Sequence, residues 1–381
     1  MSLTTEIKEH AAYLGYTKAG VTTADDFTEF IEDLQSRGDP YHFMINGPLD
    51  MIGSARPRSK MPEAKSIIVL ALDYIRSSFP EELTGLISRV YQARSHSPLP
   101  ESVDGARFKL MKTFLEEKGL GVRTDISLPY RQAALRAGIA DFGRNALAYA
   151  DGAGSFITLY VFVVDKELEY DEPSPKSKCP SNCRLCMDSC PAGALYEPYK
   201  LNPKRCVNFS NIMTLEGREA FGISTCIPAE MRGKLGRRIH GCDVCQEVCP
   251  RNKASLERKL PPDTFLETIA KDLTLENILR MDDDFYRRRL LPITYNYSRD
   301  PRYLRRNAAV ALGNLKDTVH VPGLRTALLG DPAEMVRAHA AWALGRIGGS
   351  EAKAALQAAL AAEASGWVRE EVTAALTDCL H

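Results

Sequence analysis

Residues 179–191 read CPSNCRLCMDSCP, and residues 241–250 read GCDVCQEVCP. What these two stretches bind decides what kind of fold the chain can have. Nine of the ten cysteines fall between Cys179 and Cys249. A disulfide framework belongs to small secreted domains, whereas these cysteines gather in short motifs inside a chain of 381 residues, which reads as metal binding.

Both stretches contain C-x-x-C-x-x-x-C-P, the spacing of bacterial two-cluster ferredoxins. In that spacing the cysteine before the proline points away and serves the other cluster. Cys179, Cys183, Cys186 and Cys249 are therefore expected to hold one [4Fe–4S] cluster, and Cys190, Cys242 and Cys245 most of a second. The second set lacks a ligand, because Ile239 stands where the full motif has cysteine, so Cys206 or Cys226 must complete it. The loop between Cys179 and Cys183 is one residue longer than usual. Zinc sites use similar spacing, but two proline-terminated motifs favour clusters. Cys379 has no motif around it.

Outward from this segment the chain divides in three. Residues 1–172 mix helical and strand-like patterns, giving an α/β domain. LTTEIKEHAAYLGY is amphipathic at helical spacing, with Leu3, Ile7 and Leu14 as the buried stripe. KSIIVLALDYI and GSFITLYVFVVD are the best strands, and GARFKLMKTFLEEKG is a helix ended by Gly119. EYDEPSPKSK, polar and proline-bearing, marks the boundary to a double-cluster ferredoxin-like domain over 173–258. Residues 259–381 are expected to be all-α. There LRRNAAVALGNL, VRAHAAWALGRI and VREEVTAALTDC align without gaps, with Arg305, Arg337 and Arg369 repeating every 32 residues. A helical pair at this period predicts a short HEAT-like array, which offers a surface to a partner or caps an exposed flank. The recurring arginines read as structural.

Lysine plus arginine equals aspartate plus glutamate at 49 each, so no global field favours nucleic acid or anionic membrane. The longest apolar runs fall far short of the roughly 18 residues of a membrane helix. No signal peptide opens the sequence. A cytoplasmic, monomeric protein with no membrane contact is expected, fed by an external electron donor. RMDDDFYRRRLLPITYNYSRDPRYLRR interleaves arginine with tyrosine, which suits phosphate contact and base stacking, although such a run is also an ordinary solvated face.

LNPKRCVNFSNIMTLEG, HGCDVCQEVCPRN, and AGIADFGRNALAY followed by GAGSF together resemble epoxyqueuosine reductases, in the same domain order and over nearly the whole chain. The resemblance implies that Cys206, in the family's RC motif, completes the second cluster, leaving Cys226 spare. It implies a base-off cobalamin between the first domain and the clusters, with Arg131, Arg144, Asn145 and Ser155 as cofactor-binding residues. It also implies a tRNA substrate bearing an epoxide: cluster electrons reduce the cobalt, the cobalt attacks the epoxide, and a protein acid supplies a proton to give queuosine.

At the acid the chain departs from the family. An acidic residue is expected directly before an arginine, and counting back from Ala137–Gly138 puts Tyr130 there, followed by Arg131. The family's G-K-N is Gly143–Arg144–Asn145, and ARSHS, with His96, stands near the expected D-Y-H. Tyrosine before arginine resembles instead the corrinoid-dependent reductive dehalogenases, where tyrosine donates the proton. An ordinary phenol, with pKa about 10, stays protonated at neutral pH, and a nearby cation such as Arg131 or Arg144 would make it a better donor. Packing at a helix start beside Pro129 is the plainer role for Tyr130, and Asp125 and Asp141 are alternative acids. A corrinoid-dependent reductase of a small molecule is the nearest alternative function. Behind it stand an electron-transfer or corrinoid-handling protein without substrate chemistry, and a scaffold with structural clusters.

Overall fold

The computed structural model describes residues 1–46, 50–95, 99–213, 225–294 and 300–378. Its strands are β1 (Lys18–Thr23), β2 (Ser66–Asp73), β3 (Val122–Arg123), β4 (Asp141–Phe142), β5 (Ala148–Tyr149), β6 (Ile157–Val164), β7 (Leu195–Glu197) and β8 (Lys200–Leu201). Four of them make an antiparallel sheet in the order β1-β2-β6-β3. β4–β5 and β7–β8 are separate two-stranded pairs.

Strands β2 and β6 are apolar along most of their length because both faces of the sheet are covered. Ile68, Leu70 and Leu72, with Tyr160, Phe162 and Val164, face the helices Leu3–Tyr13 and Val103–Glu117 through Ile7, Ala11, Met111 and Leu115. Ile67, Val69 and Ala71, with Val161 and Val163, face the helices Thr28–Ser36 and Tyr130–Arg136 through Ile31, Ala133 and Ala134. This three-layer arrangement puts Tyr130 at the first residue of a helix lying directly on the sheet. Gly20 of β1 allows that approach, since a Cβ there would stand 2.1 Å from the Ala137 carbonyl oxygen.

The cysteine-rich segment has little regular structure. Its helices Leu185–Asp188, Val207–Ser210 and Val244–Glu247 are single turns, joined by loops and the β7–β8 pair. Beyond it the tail is helical, and the expected array is present as the helices Arg302–Leu315, Val321–Gly330, Glu334–Ile347, Ser350–Ala362 and Gly366–Asp378. The repeat is visible in its contacts. Arg305 pairs with Asp331 at 2.9 Å, and Arg337 makes the same pair with Glu363 at 2.7 Å. A Cβ on Gly313 would stand 2.7 Å from Ala343 Cα, and one on Gly345 would stand 2.7 Å from Ala375 Cβ. Each glycine thus lets its helix press against the next repeat.

Equivalent positions of the three repeats also hold the cysteine-rich segment. Asn307 Nδ2 donates to the carbonyls of Asn211 and Ile239 at 2.5 and 2.7 Å. His339 Nε2 accepts from the Ile227 N–H at 3.1 Å. Glu371 takes both Arg232 guanidinium nitrogens, at 2.5 and 2.7 Å. This ridge of the array therefore caps a neighbouring part of its own chain. A segment from the first 172 residues joins the same core: Leu83, Leu86, Ile87 and Tyr91 pack with the tail helices.

Two of the four tyrosines in the arginine–tyrosine stretch offer no stacking surface. Tyr286 and Tyr303 are buried in the tail core, 4% and 1% exposed, and neither ring can receive a base. Arg288, Arg289 and Arg302 pair with Asp284, Asp272 and Asp300, and Arg306 is buried. Residues 295–299 lie outside the described residues. Among the described residues no helix is long and apolar enough to cross a membrane.

The repeat contacts carry a prediction. Gly313→Val and Gly345→Val overfill a helix–helix contact and should each cost about 1–3 kcal/mol. Thr377→Val, at the equivalent exposed position of the last repeat, should cost almost nothing. Thermal melts of the three variants check this, and equal losses at all three positions would refute it.

Candidate functional site

The two cysteine motifs, distant in sequence, meet in space. The Cys186 thiol is raised to about 11, first by burial and then by its neighbours Cys249, Cys183 and Cys179. The Cys206 thiol is pushed up to about 12 by burial, with Cys242 and Cys190 beside it. Cys245 is raised by burial, then by Cys206 and Cys242 and, more weakly, by Cys186 of the first group. The thiols thus sort into the groups 179/183/186/249 and 190/206/242/245, which touch at Cys186 and Cys245. The described cysteines are all unbridged. No three His, Cys, Asp or Glu side chains among the described residues converge on one ion. In a cubane each thiolate binds its own iron, so its ligands stand apart. Thiols raised by burial, as at Cys186, Cys206 and Cys245, suit a group that displaces their protons on binding.

Cys226 is elsewhere. It is exposed, with Arg232 Nη2 at 3.8 Å from its sulfur, and belongs to neither group. Cys379 and residues 214–217, the end of the LNPKRCVNFSNIMTLEG motif, lie outside the described residues.

Tyr130 and Arg131 open the helix Tyr130–Arg136, and Arg144 and Asn145 lie in the β4–β5 loop that Arg131 reaches. Arg131 Nη1 donates to the Ala146 carbonyl at 2.8 Å, fastening helix to loop. The loop turns tightly, with Ala146 in the left-handed region at φ +63°. Arg144 accepts from the Tyr199 N–H through its carbonyl at 2.9 Å, while its Nε is buried without an acceptor among the described residues. Asn145 is committed to the cysteine-rich segment: its Nδ2 donates to the Cys245 carbonyl at 3.2 Å and to Tyr149 Oη at 2.9 Å. Ser155 is committed likewise, its hydroxyl donating to Gln246 Oε1 at 2.9 Å and accepting from Asn252 Nδ2 at 2.8 Å. Gly154, at φ +64°, leaves the room for Asn252, whose Oδ1 would lie 2.1 Å from a Cβ there.

Tyr130 is half-buried against the sheet-facing core, and its hydroxyl makes no hydrogen bond among the described residues. Burial alone raises its pKa. Arg131 directs one guanidinium nitrogen to the loop backbone, and among the described residues burial is the one influence resolved on the phenol. The alternative acids are both engaged. Asp125 is exposed, and the Arg123 guanidinium holds its carboxyl below the ordinary range. Asp141 is buried and clasped by Arg251 through two 2.7 Å bonds. His96 lies outside the described residues.

Residues that sequence reasoning left without a role hold these pieces together. Asn252 bridges Ser155 and the Gln246 carbonyl, and Arg251 joins Asp141 to the neighbourhood of Cys179. Their signal was faint: the Arg251–Asn252 pair directly after Cys249–Pro250. The polar residues at 307, 339 and 371 interrupt an alanine-rich repeat face at one repeated position, which is a readable sign of contact.

Comparison with known proteins extends this picture. Residues 178–252 match the 4Fe-4S double cluster binding domain, and residues 290–377 match HEAT repeats. The epoxyqueuosine reductase of Bacillus subtilis (strain 168) is 32% identical over 358 residues, spanning 90% of this chain and 87% of that protein. A crystal structure of epoxyqueuosine reductase with an epoxyqueuosine-modified tRNA stem loop superposes with a TM-score of 0.83 at 27% identity, covering 100% of this chain and 99% of that one. A Bacillus subtilis epoxyqueuosine reductase structure, with an aspartate-bearing catalytic loop swung out of the active site, superposes with a TM-score of 0.82 at 28% identity, covering 99% and 98%. With sequence and architecture matched from end to end, this chain belongs to the epoxyqueuosine reductase family of oxidoreductases.

Proposed function

We propose that the protein reduces epoxyqueuosine in tRNA to queuosine, with two [4Fe–4S] clusters and a corrinoid, and with Tyr130 as the proton donor. The observation that carries this reading is the junction of Tyr130 and the Arg144 loop lying against the cysteine groups, in a chain of this family. The stem-loop complex of a relative supports tRNA as the substrate carrier. Cys179, Cys183, Cys186 and Cys249 hold one cluster, and Cys190, Cys206, Cys242 and Cys245 the other.

The residues present fit a corrinoid. Arg144 Nε is buried without an acceptor among the described residues, in the loop that Arg131 fastens to the start of the Tyr130 helix. Arg144 binds the cofactor, while Arg131, Asn145 and Ser155 serve it by fixing the loops around it. When bound, the corrinoid supplies the two-electron chemistry that opens the epoxide's carbon–oxygen bond. Deoxygenation takes up two electrons and two protons and releases the oxygen as water. Tyr130 holds one of those protons at its hydroxyl. Burial keeps the phenol neutral, so the proton is present through the neutral range and is lost only as pH rises above 10. Reduction of a small molecule is the second reading, and Tyr130 in the acid's position is the observation behind it.

Anaerobic assay of the cluster-loaded, cobalamin-supplemented protein decides between them. Queuosine in digests of epoxyqueuosine-bearing tRNA supports the first reading. No queuosine, with turnover of an organohalide, supports the second. Tyr130→Phe should lower turnover by about 10²–10⁴-fold while iron content and the visible spectrum of bound cobalamin stay unchanged. Normal turnover in that variant removes Tyr130 as donor. Cys206→Ala should lose about half of the iron and Cys226→Ala none; the reverse result exchanges their roles.

A further inference from the structure

The two cysteine groups sit in different electrostatic surroundings. Beside the first stands Arg251, whose Nη1 lies 3.9 Å from Cys179 Sγ. Its two 2.7 Å bonds to Asp141 fix the guanidinium in place, and its Cζ sits 4.3 Å from the centre of the Tyr149 ring. Tyr149 is 1% exposed, accepts from Asn145 Nδ2 at 2.9 Å through its hydroxyl, and its phenol bears on the Cys249 thiol. A guanidinium at 3.9 Å and a buried phenol thus address two of the four sulfurs. Asp141 also accepts the Lys178 N–H at 3.2 Å, so its charge is shared between a cation and a backbone dipole.

The second group has backbone donors instead. Cys190 Sγ receives the Ala194 N–H at 3.2 Å, and backbone N–H groups of Phe209, Asn208 and Val244 reach Cys206 and Cys242. The buried charge here is a carboxylate: Asp243 follows Cys242 and is 7% exposed. Its charge bears on both Cys242 and Cys245. Arg89 compensates it in part, through its backbone N–H at 2.7 Å and Nη1 at 3.4 Å, while Glu247 adds negative charge. On Cys242 the Arg238 guanidinium outweighs Asp243, whereas at Cys245 the carboxylate acts without it.

A cubane that accepts one electron gains one negative charge. Hydrogen bonds to its sulfurs and a fixed cation favour that state, and a buried carboxylate opposes it. Resting on the ligand reading above, we propose that Arg251 and Tyr149 hold the midpoint potential of the Cys179/Cys183/Cys186/Cys249 cluster above that of its neighbour. A single electron delivered by a one-electron donor then settles on this cluster, taking it from the 2+ to the 1+ state. Arg251 and Tyr149 are positioning residues of the electron path, and Asp141 moderates the cation.

Anaerobic redox titration of the whole protein, followed by electron paramagnetic resonance, tests this after iron and sulfide have been counted. The wild-type protein should show two midpoints, and Cys206→Ala, which retains the first cluster, should keep the higher one. Arg251→Gln and Tyr149→Phe should lower that midpoint and leave the other in place. Asp141→Asn, which uncovers the cation, should raise it, and Arg251→Lys should restore most of it. Opposite signs at two touching residues are not the signature of a general structural defect. An unmoved upper midpoint in Arg251→Gln overturns the proposal, as does a shift of the same sign in Asp141→Asn. Should Arg251→Gln fail to take up iron, Tyr149→Phe and Asp141→Asn decide alone. A wild-type protein with fewer than two clusters, or full iron in Cys206→Ala, brings down the ligand reading instead.

Discussion

The cysteine-rich segment must bury a stretch of backbone that has almost no helix or sheet in which to pair its own carbonyls. A buried amide group without a partner costs about 1–3 kcal/mol, so such a segment needs donors from outside. Side-chain amides supply them. Asn145 reaches the Cys245 carbonyl from the first domain, and Asn252 reaches the Gln246 carbonyl from within the segment. From the tail, Asn307 takes the Asn211 and Ile239 carbonyls, and Asn314 takes those of Arg232 and Gly236. Asn211 in turn donates to the Gly241 carbonyl. Asparagine is suited to this work, being short and carrying both donors and an acceptor on one rigid plane. The neighbouring domains are therefore part of the cluster-bearing segment's secondary structure, and the three regions stand or fall together.

That dependence links the β4–β5 loop to the cysteine-rich segment. Asn145 touches both the Cys245 backbone and Tyr149, whose phenol bears on Cys249. The residue next to Arg144 is thus bonded to one cysteine group and to a neighbour of the other. The loop that presents Arg144 is held by the same atoms that line the clusters' surroundings, and its geometry follows theirs.

What the sequence disclosed and what it hid have a common physical origin. Metal ligation demands thiols at short, fixed intervals, so the two motifs were legible from spacing, in the segment that matches the double cluster binding domain. The period of the tail was legible for a similar reason, since each repeat must present the same packing face. Strand order was not, because β1-β2-β6-β3 depends on pairings between strands nearly a hundred residues apart, such as Ile68 with Phe162. Nor was the fate of Tyr286 and Tyr303, since alternation of arginine and tyrosine looks the same whether the rings face solvent or pack inward. The partners of Ser155 were hidden for another reason: a hydroxyl near a site is equally fit to touch a ligand or to lock two loops, and its bonds to Gln246 and Asn252 span nearly a hundred residues of sequence. Tyr130 was found by counting, but its burial against the sheet is a fact of three dimensions.

The ridge of Asn307, His339 and Glu371 also limits how this tail can change over evolutionary time. Repeat arrays ordinarily lengthen or shorten by duplicating or losing internal units. Here each unit bears a different residue matched to a different point on the cysteine-rich segment: an amide for two carbonyls, an imidazole for one N–H, a carboxylate for a guanidinium. A unit inserted between them would set an imidazole against carbonyls or a carboxylate against a backbone N–H already satisfied. The order of the units is therefore fixed by the segment they hold, and none can be duplicated between them without misplacing a partner.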